Sequence, residues 1–345
     1  MKNLRHATLE EIEAIVAQHH EAPFRAKQIY EWLWKKNISN IDEMSNLSKA
    51  FREALKKEYD LFKLTIHHTQ YSDDKTIKNR FVLHDGHYVE GVLIPTEFRT
   101  TACVSSQVGC SLTCKFCATG YMDRVRNLTF DEIVDQVMHL NEQAEKHFNR
   151  KLSNIVFMGM GEPLLNYQQV LKAIEYITHV DCLAMSPSRI TVSTAGIAKM
   201  IKKLADDKVR FNLAVSLHAA DDVKRNEIMP INETNSLHSL IESLTYFYQR
   251  TKNPITFEYI LFSNFNDEQV DADNLIKICR KIPSKVNIIE YNPIASAKFS
   301  KPNEEKTDAF MEYLQKHKVN ARLRRSRGKD IDAACGQLAN VNKTN

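Results

Sequence analysis

The sequence predicts an α/β fold: an open barrel of six β/α units, preceded by a small helical domain and a β-hairpin extension. Three observations carry this prediction. Residues 8–58 show helical periodicity interrupted by turn-like breaks. Two alternating apolar runs flank Asp85-Gly86, a strong hairpin signal. From Thr101 onward, strand-like runs alternate with helix-like ones, the order of a parallel sheet with crossover helices.

The helical part comes first. "TLEEIEAIVAQHH", "FRAKQIYEWLWKK" and "LSKAFREALKKEY" each repeat apolar residues at helical spacing, which makes residues 1–65 a small all-helical domain. Tyr30, Trp32 and Trp34 stand at that spacing; they read as core, although such rings can also stack on bases. Residues 66–100 hold the hairpin extension, "NRFVLHDGHYVEGVLIP", with Glu90 in its second strand. The strand-like runs are "TACVSS", "NIVFMGM", "RITVSTA", "RFNLAVSLH", "ITFEYILF" and "KVNIIEYNP", separated by segments such as "TFDEIVDQVMHLNEQAEKHF". Six units suit a partial, TIM-like (β/α)6 barrel over residues 101–330 better than a closed barrel of eight. Residues 331–345 remain as a C-terminal segment.

Bulk properties narrow the setting. At 345 residues with 43% hydrophobic content the chain can bury a sizeable core without disulfide staples. The N-terminus carries charges where a signal peptide would be apolar, and no apolar run approaches membrane-spanning length. A soluble, cytoplasmic protein is expected. In a reducing compartment seven cysteines point to metal binding or catalysis. Net charge is only +4, so a nucleic-acid partner has to be argued from local patches. One exists: Lys316 to Lys329 ("KHKVNARLRRSRGK") holds seven Lys or Arg and no acid. It reads either as a phosphate-facing surface or as a solvated basic face.

Polar residues fall where a barrel would use them. Gly161-Glu162, Ser193-Thr194, Ser216 with His218, and Asn292 lie at or just beyond the C-terminal ends of their strands, the face on which barrel enzymes build active sites. Singly, each could cap a helix or satisfy a turn. Together they outline one rim.

The stretch "CVSSQVGCSLTCKFCATG" puts Cys103, Cys110, Cys114 and Cys117 within fifteen positions. Zinc is typically held by four ligands in two pairs, whereas Cys110, Cys114 and Cys117 form a tight trio. Three thiolates suit an iron-sulfur cluster of the 4Fe-4S type with one iron left open for a substrate or cofactor. Taken alone, Cys103 reads as a buried strand cysteine and Cys335 as an ordinary helix-end thiol, and Cys182 and Cys279 read as equally ordinary thiols. Glu90 taken alone reads as a solvated strand residue.

The spacing Cys-x3-Cys-x2-Cys, Phe116 before the last cysteine, and the position just after the first barrel strand resemble the radical S-adenosylmethionine superfamily. The resemblance implies that the open iron chelates the methionine moiety of S-adenosylmethionine. It also implies that "GMGEP" at 159–163 is the methionine-binding motif, with Glu162 accepting from the amino group. Gly161, Glu162, Ser193, Ser216, Leu217, His218 and Asn292 then form the cofactor-binding set, and Cys110, Cys114 and Cys117 the metal ligands.

"RRSRGKDIDAACGQL" at 324–338, with Cys103 and Glu90, is similar to the radical enzymes that methylate carbon 2 of adenosine in 23S ribosomal RNA and in some transfer RNAs. The resemblance covers nearly the whole chain and implies a role for each remaining residue. Cys335 would carry the methyl group as S-methylcysteine, Cys103 would be the resolving thiol that releases product through a disulfide, and Glu90 would be the proton acceptor. It further implies a helix-hairpin-helix-like, RNA-binding character for residues 1–65, an external electron donor such as flavodoxin or ferredoxin, no membrane partner, and a monomer. Related enzymes methylate carbon 8 of the same ribosomal adenosine; Pro163 and the N-terminal domain favour carbon 2. A non-catalytic, zinc-containing RNA-binding protein would share the thiol trio and the basic run. It offers no reason for the Glu162 rim or for Cys103 together with Cys335.

Overall fold

The computed structural model describes residues 1–340; residues 341–345, the end of the expected C-terminal segment, lie outside the described residues. Thr8 and Glu11 open α1 (Leu9–Gln18) with a capping box, Glu11 N donating to Thr8 Oγ1 at 3.2 Å and Thr8 N to Glu11 Oε2 at 2.7 Å. After α2 (Phe24–Trp34), Ser48 Oγ accepts from Phe51 N at 3.1 Å and opens α3 (Lys49–Glu58). The apolar repeats pack together, with Ile12, Ile29, Leu33 and Leu55 all buried. A short parallel pair, β1 (Lys2–Asn3) with β2 (Tyr59–Asp60), ties the two ends of this unit.

Trp34 is buried as core rather than offered to bases. Its ring lies 4.3 Å from Tyr176 and 5.7 Å from Phe130 (centroids), so it seats the helical unit on the barrel. Beside it Arg5, fully buried, pairs with Asp135 at 2.7 Å, and Asp135 also takes Lys63 at 2.9 Å. Tyr30 and Trp32 are half-buried.

The extension is larger than a hairpin. β3 (Thr65–Tyr71), β4 (Ile77–Val82) and β5 (Tyr88–Pro95) form an antiparallel meander, and β5 pairs antiparallel with β6 (Thr100–Cys103), Val92 opposite Cys103. A short antiparallel pair, β7 (Gln107–Val108) with β8 (Arg126–Asn127), brackets the cysteine loop.

The chain then alternates through α4 (Phe130–Phe148), β9 (Asn154–Phe157), α5 (Tyr167–Thr178), β10 (Ile190–Thr194), α6 (Ala198–Asp206) and β11 (Asn212–Ser216). It continues through α7 (Asp222–Ile228), α8 (Leu237–Thr251), β12 (Ile255–Leu261), α9 (Gln269–Cys279), β13 (Ser284–Glu290), α10 (Glu304–Lys316) and β14 (Ala321–Arg324). Among the described residues the main sheet has ten strands, ordered β14-β13-β12-β11-β10-β9-β6-β5-β4-β3. Its members β6 and β9 to β14 run parallel. Six β/α units are therefore followed by β14. Ile155, Val192, Leu213, Phe257 and Val286 are buried, as expected of parallel strands covered on both faces.

β14 comes from the basic run, which does not form one surface. Arg324 turns into the barrel toward Glu258 at 3.5 Å, whereas Arg325 and Lys329 pair with Glu290 at 3.6 and 2.7 Å and Arg327 with Asp74 at 3.9 Å. No helix among the described residues is long and apolar enough to cross a membrane.

Candidate active site

The C-terminal ends of the parallel strands surround a cavity with about 880 Å³ free of atoms, its open mouth included, within the usual range for small-molecule sites. Cys110, Cys114 and Cys117 line it from one side and Gly161, Glu162, Ser193, Ser216 and His218 from the rim. Cys335 and Arg324 line it as well.

Each wall residue is held by its local structure. Gly161 has φ +94°, and a Cβ there would stand 2.5 Å from Gln107 Cβ, so the turn after β9 closes against β7 only with glycine. That turn delivers Glu162, whose Oε1 accepts from Leu164 N at 2.9 Å and Oε2 from Ala195 N at 2.8 Å. Burial pushes its carboxyl up, opposed by those amides and by Thr194. Glu162 is thus a fixed acceptor on the cavity wall. His218 Nδ1 accepts from Ile260 N at 3.0 Å, which leaves the proton on Nε2. Burial, and Arg225 beside it, push this ring down to about 3, so it is a neutral donor at neutral pH. Its edge meets Phe116, the aromatic of the cysteine loop, at 4.6 Å between centroids.

Two expected rim residues sit behind the wall. Leu217 is buried in the core, and its carbonyl accepts from Arg225 Nε at 3.1 Å. Asn292, also buried, donates Nδ2 to the carbonyl of Cys335 at 3.3 Å, so its contact is with the C-terminal segment.

The thiol trio is electrostatically strained. Burial pushes Cys110 up to about 11 and Cys114 and Cys117 above the ordinary thiol value; neighbouring thiols add to the effect at Cys110 and Cys114. A bound cation would relieve that cost and draw the protons off. Among the described residues no three His, Cys, Asp or Glu side chains converge as a single metal ion would require. A cluster is the better fit, because each of its thiolates binds a different iron and the three sulfurs need only share one cavity.

Behind the trio the C-terminal segment crosses the barrel mouth. Ala118 N donates to Gly336 O at 2.7 Å, Thr119 Oγ1 to Leu338 O at 2.6 Å, and Gln337 Nε2 to Pro293 O at 3.1 Å. This strapping presents Cys335 to the cavity. Cys103, at the end of β6, is buried, and its thiol is pushed up to about 12, first by burial and then by Cys335. Arg324 acts in the opposite direction on Cys103, and its own charge is favoured first by Cys335 and then by Glu258. Both cysteines are free thiols. Glu90, on β5, is buried with Ala339 N donating to Oε2 at 3.0 Å and Lys78 Nζ 3.5 Å from Oε1. It therefore faces the C-terminal segment rather than solvent.

Three further charged residues belong to the site. Arg225 is fully buried and binds the carbonyls of Ala195 (2.6 Å), Ser216 (3.1 Å) and Leu217 (3.1 Å), tying together the turns after β10 and β11. In "DDVKRNEI" it looks like one more surface charge. Arg324 stands within the basic run, where nothing in the sequence sets it apart from its neighbours. Glu258 was legible: an acid inside the apolar strand "ITFEYILF" signals a buried partner.

Comparison with known proteins agrees with this geometry. Residues 2–61 match the family model of the ribosomal RNA large subunit methyltransferase N-terminal domain, and residues 104–276 match that of the radical SAM superfamily. A probable dual-specificity RNA methyltransferase RlmN of Cytophaga hutchinsonii is 55% identical, covering 98% of this chain and 93% of its own. The dual-specificity RNA methyltransferase RlmN of Nitratiruptor sp. is 40% identical, with 98% of both chains covered. Among solved structures, a radical SAM methyltransferase from Sphaerobacter thermophilus superposes with a TM-score of 0.92 at 38% identity, covering 98% of this chain and 99% of that one. Identity at this level, running through both the helical unit and the barrel, makes the chain a member of the RlmN family of RNA methyltransferases, radical enzymes that work with a 4Fe-4S cluster and S-adenosylmethionine.

Proposed function

We propose that this chain methylates carbon 2 of adenosine in 23S ribosomal RNA and in transfer RNA, with Cys335 as methyl carrier, Cys103 as resolving thiol and Glu90 as proton acceptor. Carbon 2 of adenine is electron-poor and cannot attack a sulfonium methyl directly. When bound, the cluster and S-adenosylmethionine supply the one-electron chemistry that activates a methyl group already on Cys335. Cys110, Cys114 and Cys117 would hold the cluster, and Glu162, Ser193, Ser216 and His218 would hold S-adenosylmethionine, with Gly161 shaping the turn that carries Glu162, Leu217 bound through its carbonyl to Arg225, and Asn292 holding the C-terminal segment.

The chain's own residues then act in order. Cys335, as thiolate, takes the methyl from the sulfonium: a carbon-sulfur bond forms, one breaks, and a neutral thioether leaves. After the carbon unit is joined to the base, Glu90 accepts the carbon 2 proton. Cys103, as thiolate, attacks the sulfur of Cys335; the disulfide forms as the carbon-sulfur bond to the base breaks, and the carbon keeps that bond's electron pair and takes a proton from water to complete the methyl group. The observation that carries this reading is that Cys335 lines the same cavity as the trio and lies close enough to buried Cys103 to disfavour ionisation of that thiol.

Pro163, which begins a 3-10 turn directly after Glu162, and the match of residues 2–61 support carbon 2 over carbon 8. Residues 1–65 would hold RNA beside the barrel mouth, where the target base leaves its stack. A flavodoxin or ferredoxin would supply the electrons to a cytoplasmic monomer. The deciding experiment is mass spectrometry of the Cys335 peptide and of nucleosides from the product RNA. One added methyl on Cys335 and 2-methyladenosine in RNA are expected; an unmodified Cys335 in active enzyme, or 8-methyladenosine, overturns the reading.

A further inference from the structure

Lys78 is only 3% exposed, an unusual position for an ammonium unless its charge is used. Its Nζ lies 3.5 Å from Glu90 Oε1 and 3.5 Å from the carbonyl oxygen of Asp332. The two partners belong to different parts of the fold. Glu90 is in β5, where it stands opposite Arg80 in register, so Lys78 two residues along β4 is its diagonal neighbour on the same face. Asp332 lies three residues before Cys335 in the segment that crosses the barrel mouth.

The remaining groups around Glu90 leave Lys78 as its nearby cation. On β4, Arg80 directs Nη1 to Asn340 O at 3.2 Å and Nη2 to His67 Nδ1 at 3.0 Å. On β5, the ring of Tyr88 lies under Arg80 at 4.9 Å. The C-terminal segment contributes the amides of Ala339 and Asn340 to Glu90, and the carbonyl of Asp332 to Lys78. From the turn after β9, Met160 Sδ receives Glu90 N at 3.4 Å, and Ser105 Oγ, just beyond β6, donates to Glu90 O at 2.6 Å. Burial pushes the carboxyl of Glu90 up, and Lys78 is the largest influence holding it down.

We propose that Lys78 is a positioning residue of the methyl transfer: its ammonium keeps buried Glu90 ionised and fixes that carboxylate against the segment bearing Cys335. The inference rests on Glu90 being the proton acceptor. In the step concerned, the proton on carbon 2 passes to a Glu90 oxygen, the electron pair of that bond stays with the base, and Lys78 remains protonated. Glu90 then returns its proton to water after product leaves.

The test follows single-turnover RNA methylation across pH in Lys78→Gln, Lys78→Met, Lys78→Arg and Glu90→Gln, with the methyl content of Cys335 measured in each. Without the ammonium, Glu90 loses its proton only at higher pH. The acidic limb of Lys78→Gln and Lys78→Met therefore moves up by about one pH unit, about a tenfold loss below the limb, and Lys78→Arg restores most of it. Cys335 remains methylated in all, because its methylation precedes any use of Glu90. Lys78→Gln keeps a donor for the Asp332 carbonyl, so it serves should Lys78→Met fail to fold. An unmoved limb in Lys78→Gln, with activity lost in Glu90→Gln, overturns this inference alone; full activity in Glu90→Gln overturns the proton-acceptor reading beneath it.

Discussion

Arg324 of strand β14 and Glu258 of strand β12 meet at 3.5 Å over the intervening strand β13. Arg324 Nη1 also reaches Met158 Sδ at 3.6 Å, and Asn287 Nδ2 holds the other oxygen of Glu258 at 2.8 Å. The pair thus fixes a guanidinium where it offsets part of the burial that disfavours the Cys103 thiolate. Arg324→Met removes that help. It should slow release of RNA from the covalent adduct by about tenfold, the size of a one-unit shift in thiol ionisation. A denaturing gel of single-turnover reactions reads this as persistence of a protein-RNA band, and wild-type decay of the band would refute it.

The release step should also carry a pH signature. Cys103 is pushed up to about 12, chiefly by burial, and only its thiolate attacks sulfur. The reactive fraction is small at neutral pH and grows about tenfold per unit toward that value. Adduct decay in wild-type enzyme should therefore steepen with this slope between about pH 7 and 9, well below saturation. A decay rate independent of pH would assign release to another group.

The seat of the helical unit makes a prediction about stability. Asp135, fully buried, accepts from Arg5 at 2.7 Å, Lys63 at 2.9 Å and the amide of Leu64 at 3.1 Å. Asp135→Ala leaves the buried Arg5 with the longer ion pair to Asp131 at 3.8 Å and the ring of Trp34 at 4.8 Å. Breaking a buried pair from one side costs about 3–5 kcal/mol. Urea unfolding should show that loss, and an unchanged midpoint would mean that the cluster adds little to the docking.

What the sequence made legible, and what it hid, follows from the same physics. Six barrel strands were readable because both faces are covered and their residues run apolar. β14 was hidden because Ala321–Arg324 alternates Ala and Leu with Arg, a pattern that reads as charged surface until Arg324 is seen inside the barrel. β3, "TIHHTQY", is mostly exposed at the edge of the sheet, so it has no apolar alternation to detect. The thiol trio and Glu162 stood out by spacing. Burial of Glu90 and Lys78 did not, because it depends on the C-terminal segment folding back from more than two hundred residues away.

The last prediction separates Cys103 from Cys335, which loss of activity alone cannot do. Joining the methyl carbon to the base needs the carrier thiol at the cavity wall but not Cys103, which acts only when the bond between enzyme and base has to be broken. Cys103→Ala should keep its iron and its methylated Cys335, react once, and accumulate a protein-RNA crosslink. Because the link is a thioether, it should survive denaturation and reducing agent. Cys335→Ala should form no crosslink, and the double variant should behave like Cys335→Ala, since removing the carrier comes earlier in the sequence of steps. Methylated RNA recovered free from Cys103→Ala would mean that release proceeds without an internal thiol, and that the proximity of Cys103 to Cys335 serves packing rather than chemistry.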